Sequence, residues 1–215
     1  MERGSRFLWD VRAFVSAGDE VGLHRRLQLR WSLAVLTGFL NGADAEVRCT
    51  AAFCLGVLGG RGAVLPLVGA LRADDARLAG VAEDALWRSW FGAAGHAARG
   101  RLMRAVDLIE EGRHDAAEAV LDSLIEGEPE FAEAYHQRGI VRYLRGVLWA
   151  ALEDYERAAR LEPCHFGAMA GSGRVHADLG QPLEALAAYR RALRVHPRMS
   201  GVRESMRAVR ATYQT

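Results

Sequence analysis

The sequence predicts an all-α protein, an α-solenoid of stacked helical hairpins, and three observations support this fold class. Hydrophobic residues make up 50% of the 215 positions, which suffices for a sizeable buried core. Residues 98–197 match themselves when the sequence is shifted by 34 positions, and the earlier part matches itself at a shift of 31. Fixed periods of this length are typical of chains that repeat one supersecondary unit.

The amino-terminal part carries the shorter period. A shift of 31 aligns Asp44 with Asp75, Val47 with Leu78 and Leu55 with Leu86. The Asp-x2-Val-Arg opening, the Ala-rich helix and the Leu-Gly ending resemble a short HEAT repeat. The resemblance implies HEAT-like helical repeats over residues 1–91, followed by a short linker at 92–97 that is rich in Gly and Ala.

The longer period repeats four features: a glycine, an alanine, a large side chain and a proline. The aligned sets are Gly112, Gly146 and Gly180; Ala117, Ala151 and Ala185; Leu121, Tyr155 and Tyr189; and Pro129, Pro163 and Pro197. Glycine ends a helix where positive φ is needed, and proline does not continue one. Each copy is therefore predicted to be a pair of helices, with the tyrosines filling the space between neighbouring copies.

This period and these residue types resemble the tetratricopeptide repeat (TPR), with copies at about 98–131, 132–165 and 166–199. The resemblance implies a superhelix whose first helices line a concave groove that binds peptides or helices. Arg104 and Arg138 stand where the family has Leu, so these helices are expected to pack loosely or to extend their arginine stems to water. An apolar stripe then predicts a capping helix over 198–215, and its members are Val202, Met206, Val209 and Tyr213.

The predicted partner-binding residues lie on the first helices, where positions i, i+3, i+7 and i+10 share a face. The predicted set is Arg99, His136, Ile140, Tyr143 and Arg174, together with Trp149 in the turn between paired helices. Val106 and Ile140 occupy the positions at which the chaperone-tail-binding subclass has asparagine, so that specificity is not expected. The alternative is that these side chains are covered, either by the terminal helix or by a second copy of the chain.

Composition argues against nucleic acid and membranes as partners and indicates the compartment. The 28 basic residues, all arginine, balance 27 acidic residues, so no cationic surface is predicted and nucleic acid is not the expected partner. Three cysteines without regular spacing indicate a reducing compartment. The densest apolar run, Leu33 to Leu40, is too short to span a bilayer, so a cytoplasmic location without membrane contact is predicted.

The seven histidines form no familiar metal-ligand spacing, and the sequence predicts no catalytic residue, no metal and no cofactor. The predicted function is a non-catalytic protein–protein interaction scaffold or adaptor that binds a peptide or helix on the concave TPR surface. Three alternatives stay open at this level. They are an enzyme that resembles the HEAT-repeat phycobilin lyases, a weak nucleic-acid binder, and a homo-oligomer.

Overall fold

The computed structural model describes residues 3–213, and every regular element within that range is an α-helix. The helices are α1 Arg3–Ala17, α2 Glu20–Arg30, α3 Leu33–Phe39, α4 Ala45–Leu58, α5 Arg61–Leu71, α6 Ala76–Phe91, α7 Gly95–Glu110, α8 His114–Gly127, α9 Ala132–Leu144, α10 Leu148–Leu161, α11 Phe166–Asp178, α12 Pro182–Val195 and α13 Ser200–Tyr213. The predicted all-α class is confirmed. Among these helices none has both the length and the apolar character that a bilayer crossing requires.

The chain divides into two compact units, one ending at Ala93 and the other beginning at Ala94. The first contains α1 to α6 and the second contains α7 to α13. Helix α7 begins at Gly95, so the second half of the predicted 92–97 linker is helical. Residues 1, 2, 214 and 215, which belong to the predicted terminal segments, lie outside the described residues, as does the side chain of Tyr213.

A buried carboxylate joins the first two helices of the first unit. Asp10 on α1 accepts hydrogen bonds from Nε of Arg26 at 3.0 Å and from Nε1 of Trp31 at 2.8 Å, and a second guanidinium nitrogen of Arg26 completes the ion pair. Burial opposes ionisation of Asp10, but these hydrogen bonds outweigh it and lower the pKa of the carboxyl group. A buried charge requires such partners.

The repeated aspartates of the first unit begin equivalent helices. Asp44 precedes α4 and Asp75 precedes α6, and each side chain accepts hydrogen bonds from two backbone N–H groups of the helix that it caps. Arg48 of α4 donates to Asp75 Oδ2 at 2.7 Å. The two helices also approach closely, since a Cβ placed on Gly56 would lie 2.7 Å from Cα of Ala85. The 31-residue period therefore corresponds to two capped helices that pack together.

The second unit consists of three helix pairs and a final helix. The pairs are α7 with α8, α9 with α10, and α11 with α12. Gly112, Gly146 and Gly180 lie in the turns within the pairs and have φ of +73°, +76° and +72°. The predicted positive φ at these glycines is confirmed. Helix α13 packs its buried Val202, Met206 and Val209 into one apolar cluster with residues of α12.

The recurring tyrosines fill the gaps predicted for them. The Tyr155 ring lies so close that a Cβ on Gly139 would be 2.9 Å from Cε1, and one on Gly171 would be 2.6 Å away. Tyr189 stands in the same relation to Gly173, again at 2.6 Å. Real Cβ atoms do not approach ring carbons this closely, so only glycine permits the observed separation of the helices.

Arginine at the usual leucine position does not loosen the second repeat. Arg138 donates to both carboxylate oxygens of Asp154, at 3.0 and 2.8 Å, and to Asp122 at 2.7 Å. Arg142 donates to Glu118 at 2.8 Å and to Asp154 at 2.9 Å. These contacts connect α8, α9 and α10, so the expectation of loose packing is wrong at Arg138. Arg104 agrees with the expectation, because its side chain is half exposed.

Enlarging a small residue of the buried cluster that contains Tyr155 tests the packing. Ala151 is fully buried, so Ala151→Leu is expected to lower the free energy of unfolding by about 1–3 kcal/mol through overpacking. Urea unfolding followed by circular dichroism measures the change. Ala187→Leu makes the same enlargement at an exposed position of α12 and is expected to cost under about 0.5 kcal/mol. Equal stability of the two variants would contradict this packing.

Removing Asp154 tests the ionic contacts. Asp154→Ala leaves Arg138 and Arg142 largely buried without their shared acceptor, and we expect a loss of about 2–3 kcal/mol. The control is Glu156→Ala in the same helix, which removes an exposed pair with Arg160 and should cost at most about 0.5 kcal/mol. Similar urea midpoints for both variants would show that the buried contacts contribute little.

Candidate functional site

The clearest polar constellation on the first helices joins the second and third repeats. The Tyr143 hydroxyl on α9 donates to Oδ2 of Asp178 on α11 at 2.8 Å. One turn earlier on α11, the guanidinium of Arg174 lies 5.8 Å from the centroid of the Tyr143 ring, a separation typical of a cation–π contact. Burial and the neighbouring carboxylate of Asp178 raise the pKa of Tyr143.

Arg174 is exposed, and within residues 3–213 no carboxylate lies at ion-pair distance from its guanidinium group. The carboxylate nearest to it in sequence, Asp178, is engaged by Tyr143. Arg174 is therefore oriented by an aromatic ring and presents its donors to solvent. Such a guanidinium group suits a carboxylate or a backbone carbonyl on a partner.

The other predicted groove residues differ in accessibility. Ile140 is half buried and packs with Tyr143 against the apolar cluster that includes Tyr155 and Val175. Arg99 on α7 is half buried. Exposed apolar side chains occur at Met103 and Leu144, each one position beyond the predicted face.

Part of the α11 face that carries Arg174 is covered, since positions three and four residues from it share its face. Ala170 and Ala177 of α11 pack against the cluster that contains Val202 and Met206 of α13. The sequence left open whether the terminal helix would cover groove residues, and here it contributes to covering these two alanines. Arg174, between them in sequence, stays exposed.

The prediction that His136 lines an open groove is wrong. His136 is 6% exposed, and its Nδ1 lies 3.0 Å from Oε1 of Glu133. Nε2 of His165, from the connection before α11, lies 2.8 Å from the other carboxylate oxygen of Glu133. We call Glu133, His136 and His165 the buried triad. Gln137 also donates to Glu133, at 2.7 Å. The two imidazoles and the amide replace the water that an isolated carboxylate would need.

The sequence carries a signal for the buried triad, although its spacing matches no familiar metal motif. Glu133 and His136 are separated by three residues, so they share a helix face, and His165 immediately precedes the next first helix. Each of the three residues has one nitrogen or oxygen atom that could bind a metal ion, and these atoms lie within 4.8 Å of one another. The contacts lower the pKa of Glu133 to about 2 although burial alone would raise it.

Trp149 lies apart from the first helices, in the first turn of α10, and is 62% exposed. Leu183 occupies the corresponding position of α12 and is 76% exposed. Exposed apolar residues therefore recur at one place in successive repeats.

The described residues form repeated helical hairpins, and known proteins resemble them in part of the sequence and in the fold. No protein-family model matches the chain. A curated TPR repeat-containing protein from Rhizobium etli is 33% identical over 89 residues. The match covers 41% of this chain and 44% of that protein, so the chain matches under half the length of this relative.

Solved structures share the fold at low sequence identity. The first TPR of Spaghetti, bound to an HSP90 peptide, has a TM-score of 0.54 at 17% identity over 55% of this chain and 94% of that one. MamA has a TM-score of 0.53 at 17% identity, and the match covers 80% of this chain and 86% of that one. A third structure is the Yersinia enterocolitica type III secretion chaperone SycD in complex with a peptide of the translocator YopD. Its TM-score is 0.50 at 14% identity, and the match covers 53% of this chain and 92% of that one. The chain is thus similar to a TPR repeat-containing protein over part of its sequence and to TPR structures in its fold.

The contact between Tyr143 and Asp178 can be tested by titration. Because Asp178 contributes to the raised pKa of Tyr143, Asp178→Asn is expected to lower that pKa toward its ordinary value. NMR of ¹³C-labelled tyrosine rings measures the midpoint. Glu184→Gln, at an exposed position of α12, is the matched control and should leave the midpoint unchanged. A midpoint that does not respond to Asp178→Asn would contradict the hydrogen bond.

Proposed function

We propose that the second unit is a non-catalytic adaptor that binds an extended peptide or a helix of another protein on the first helices of its repeats. The observation that carries this proposal is Arg174, which is exposed, held against Tyr143 and without a carboxylate partner among the described residues. The exposed Leu144 beside Tyr143 adds apolar area. A polar anchor next to apolar surface is a common way to bind a peptide.

Two structural neighbours lend support through their partners. One is the Spaghetti TPR, whose structure holds an HSP90 peptide, and the other is SycD, whose structure holds a YopD peptide. Their identity to this chain is low, so they support peptide binding as a class and leave the partner sequence unspecified.

The proposed contact set comprises Arg99, Ile140, Tyr143 and Arg174 on the first helices. Trp149 is proposed as a separate contact in the first turn of α10, since a large exposed indole is typical of contact surfaces. His136 is not included, because its ring belongs to the buried triad.

The organisation of the chain is part of the proposal. We assign the repeats to about 98–131, 132–165 and 166–199, with the cap at 198–215, and we assign HEAT-like hairpins to the first unit. The equivalent caps at Asp44 and Asp75 support the HEAT-like assignment. The cysteines form no disulfide within residues 3–213, and their irregular spacing supports our proposal of a reducing, cytoplasmic location.

Charge reversal at Arg174 tests the proposed surface. A photo-crosslinking amino acid at position 144 of the intact chain should yield a defined partner adduct in lysate, and Arg174→Glu should reduce its yield at least tenfold. The matched control is Arg190→Glu, which makes the same charge change at an exposed position of α12. An adduct whose yield is equal in both variants would remove Arg174 from the binding surface.

A further inference from the structure

The buried triad occupies the junction between the second and third repeats. Glu133 and His136 belong to α9, whereas His165 is the residue that precedes α11 and caps it. Glu133 and His165 are completely buried. Contacts of this kind hold one repeat to the next, and the groups involved are ones that bind and release protons.

The hydrogen bonds of His165 specify which ring nitrogen carries the proton. The backbone N–H of Ala168 donates to Nδ1 of His165 at 3.1 Å, so Nδ1 must offer a lone pair. The proton of the neutral ring is therefore on Nε2, which donates to Glu133 Oε2 at 2.8 Å. His165 thus satisfies the first turn of α11 and the buried carboxylate together, but only as the neutral ring.

The same tautomer argues against a metal at the buried triad. Two histidines and a glutamate are common metal ligands. A histidine that binds metal through one ring nitrogen ordinarily donates N–H from the other. In His165 the other nitrogen is Nδ1, which accepts the Ala168 hydrogen. Metal binding at Nε2 would remove the only proton of the ring or break the cap of α11.

We propose that the buried triad is a proton-sensitive connection between the second and third repeats, closed when His165 is neutral and weakened when His165 is protonated. The added proton comes from solvent and binds Nδ1. The new Nδ1–H then faces the Ala168 N–H, and two donors replace a donor and an acceptor. The hydrogen bond that caps α11 is lost, and the start of this helix is freed from the second repeat.

The electrostatic surroundings keep His165 neutral in the folded protein. Burial is the largest cause of its lowered pKa, and the proximity of His136 lowers it further, while Glu133 opposes both. Other titratable groups around the triad are Tyr155, whose ring lies 5.9 Å from that of His136, and Glu162, which accepts the Cys164 N–H at 3.2 Å. Tyr155 stays neutral in acid, because the ordinary pKa of a phenol is about 10 and burial raises it further.

The pKa of His165 is lower in the folded protein than in the unfolded chain, and this difference determines how stability depends on pH. Unfolding exposes His165 and returns its pKa to about 6.5, so the unfolded chain binds more protons below that pH. Stability contributed by His165 is therefore complete above pH about 6.5 and declines as pH falls toward the lowered folded value. Glu133 acts in a separate, more acidic interval, between its unfolded pKa near 4.5 and its folded value of about 2.

Direct observation of the imidazole nitrogens in the intact chain tests the proposal without any variant. At pH 7.5, two-dimensional ¹H–¹⁵N spectra should show His165 as the neutral ring with its proton on Nε2. Lowering the pH to 5.5, one unit below the pKa of an exposed histidine, should increase exchange of the Ala168 amide hydrogen by up to about tenfold beyond the intrinsic change. A proton on Nδ1 at pH 7.5, or an Ala168 amide that stays protected to pH 5, would overturn the proposal.

A variant separates His165 from the other titrating groups. His165→Asn keeps a side-chain oxygen that accepts the Ala168 N–H but does not titrate. The unfolding equilibrium constant of the parent protein should rise up to about tenfold per pH unit below 6.5, and this component should be absent from His165→Asn. His96→Asn, at an exposed histidine of α7, should keep the parent slope. Equal slopes in parent and His165→Asn would refute the proposal.

Adding zinc distinguishes a triad that responds to protons from a triad that binds a metal ion. The chain stripped with EDTA should show the same melting temperature before and after one equivalent of Zn²⁺. Stoichiometric Zn²⁺ binding that shifts the His165 ring resonances would instead assign the triad to metal and overturn the proposal. None of these measurements needs a binding partner, so they succeed or fail independently of the proposed adaptor function.

Discussion

The packing of Tyr155 against two glycines is the contact on which the second unit depends. The ring occupies the space that a Cβ on Gly139 or Gly171 would need, so α9, α10 and α11 meet at a separation that alanine would not permit. Tyr189 and Gly173 repeat the arrangement one copy later. A ring in a gap of fixed size sets the spacing of successive helix pairs, and this explains why tyrosine and glycine recur together at the repeat period.

Ionic contacts replace apolar packing on the other side of the second repeat. Arg138 stands where the TPR resemblance places a leucine, and Arg142 follows one turn later. Asp154 accepts hydrogen bonds from both arginines. These bonds compensate for the water that the two guanidinium groups lose on partial burial. Carboxylates from α8 extend the network to the first repeat, so directional hydrogen bonds hold neighbouring repeats in one register.

The junction between the second and third repeats combines a rigid interior with an accessible surface. Inside it, Glu133 is buried and receives hydrogen bonds from side chains of its own helix and from His165. On its exposed side, Tyr143 and Asp178 bridge the same two first helices and leave Arg174 available. The buried contacts hold α11 in place, and the position of α11 determines where Arg174 stands relative to Tyr143.

The sequence by itself determined the helix pairs, their turns and the role of the recurring tyrosines, because residues that limit how closely helices approach must recur at the period of the fold. It also brought Tyr143 and Arg174 into one candidate site. Only the tertiary structure decided that His136 is buried and that Arg138 is paired. The reason is physical: a position on a helix face does not reveal which neighbour covers it, and the partners Glu133, His165 and Asp154 meet these residues only after the helices have packed.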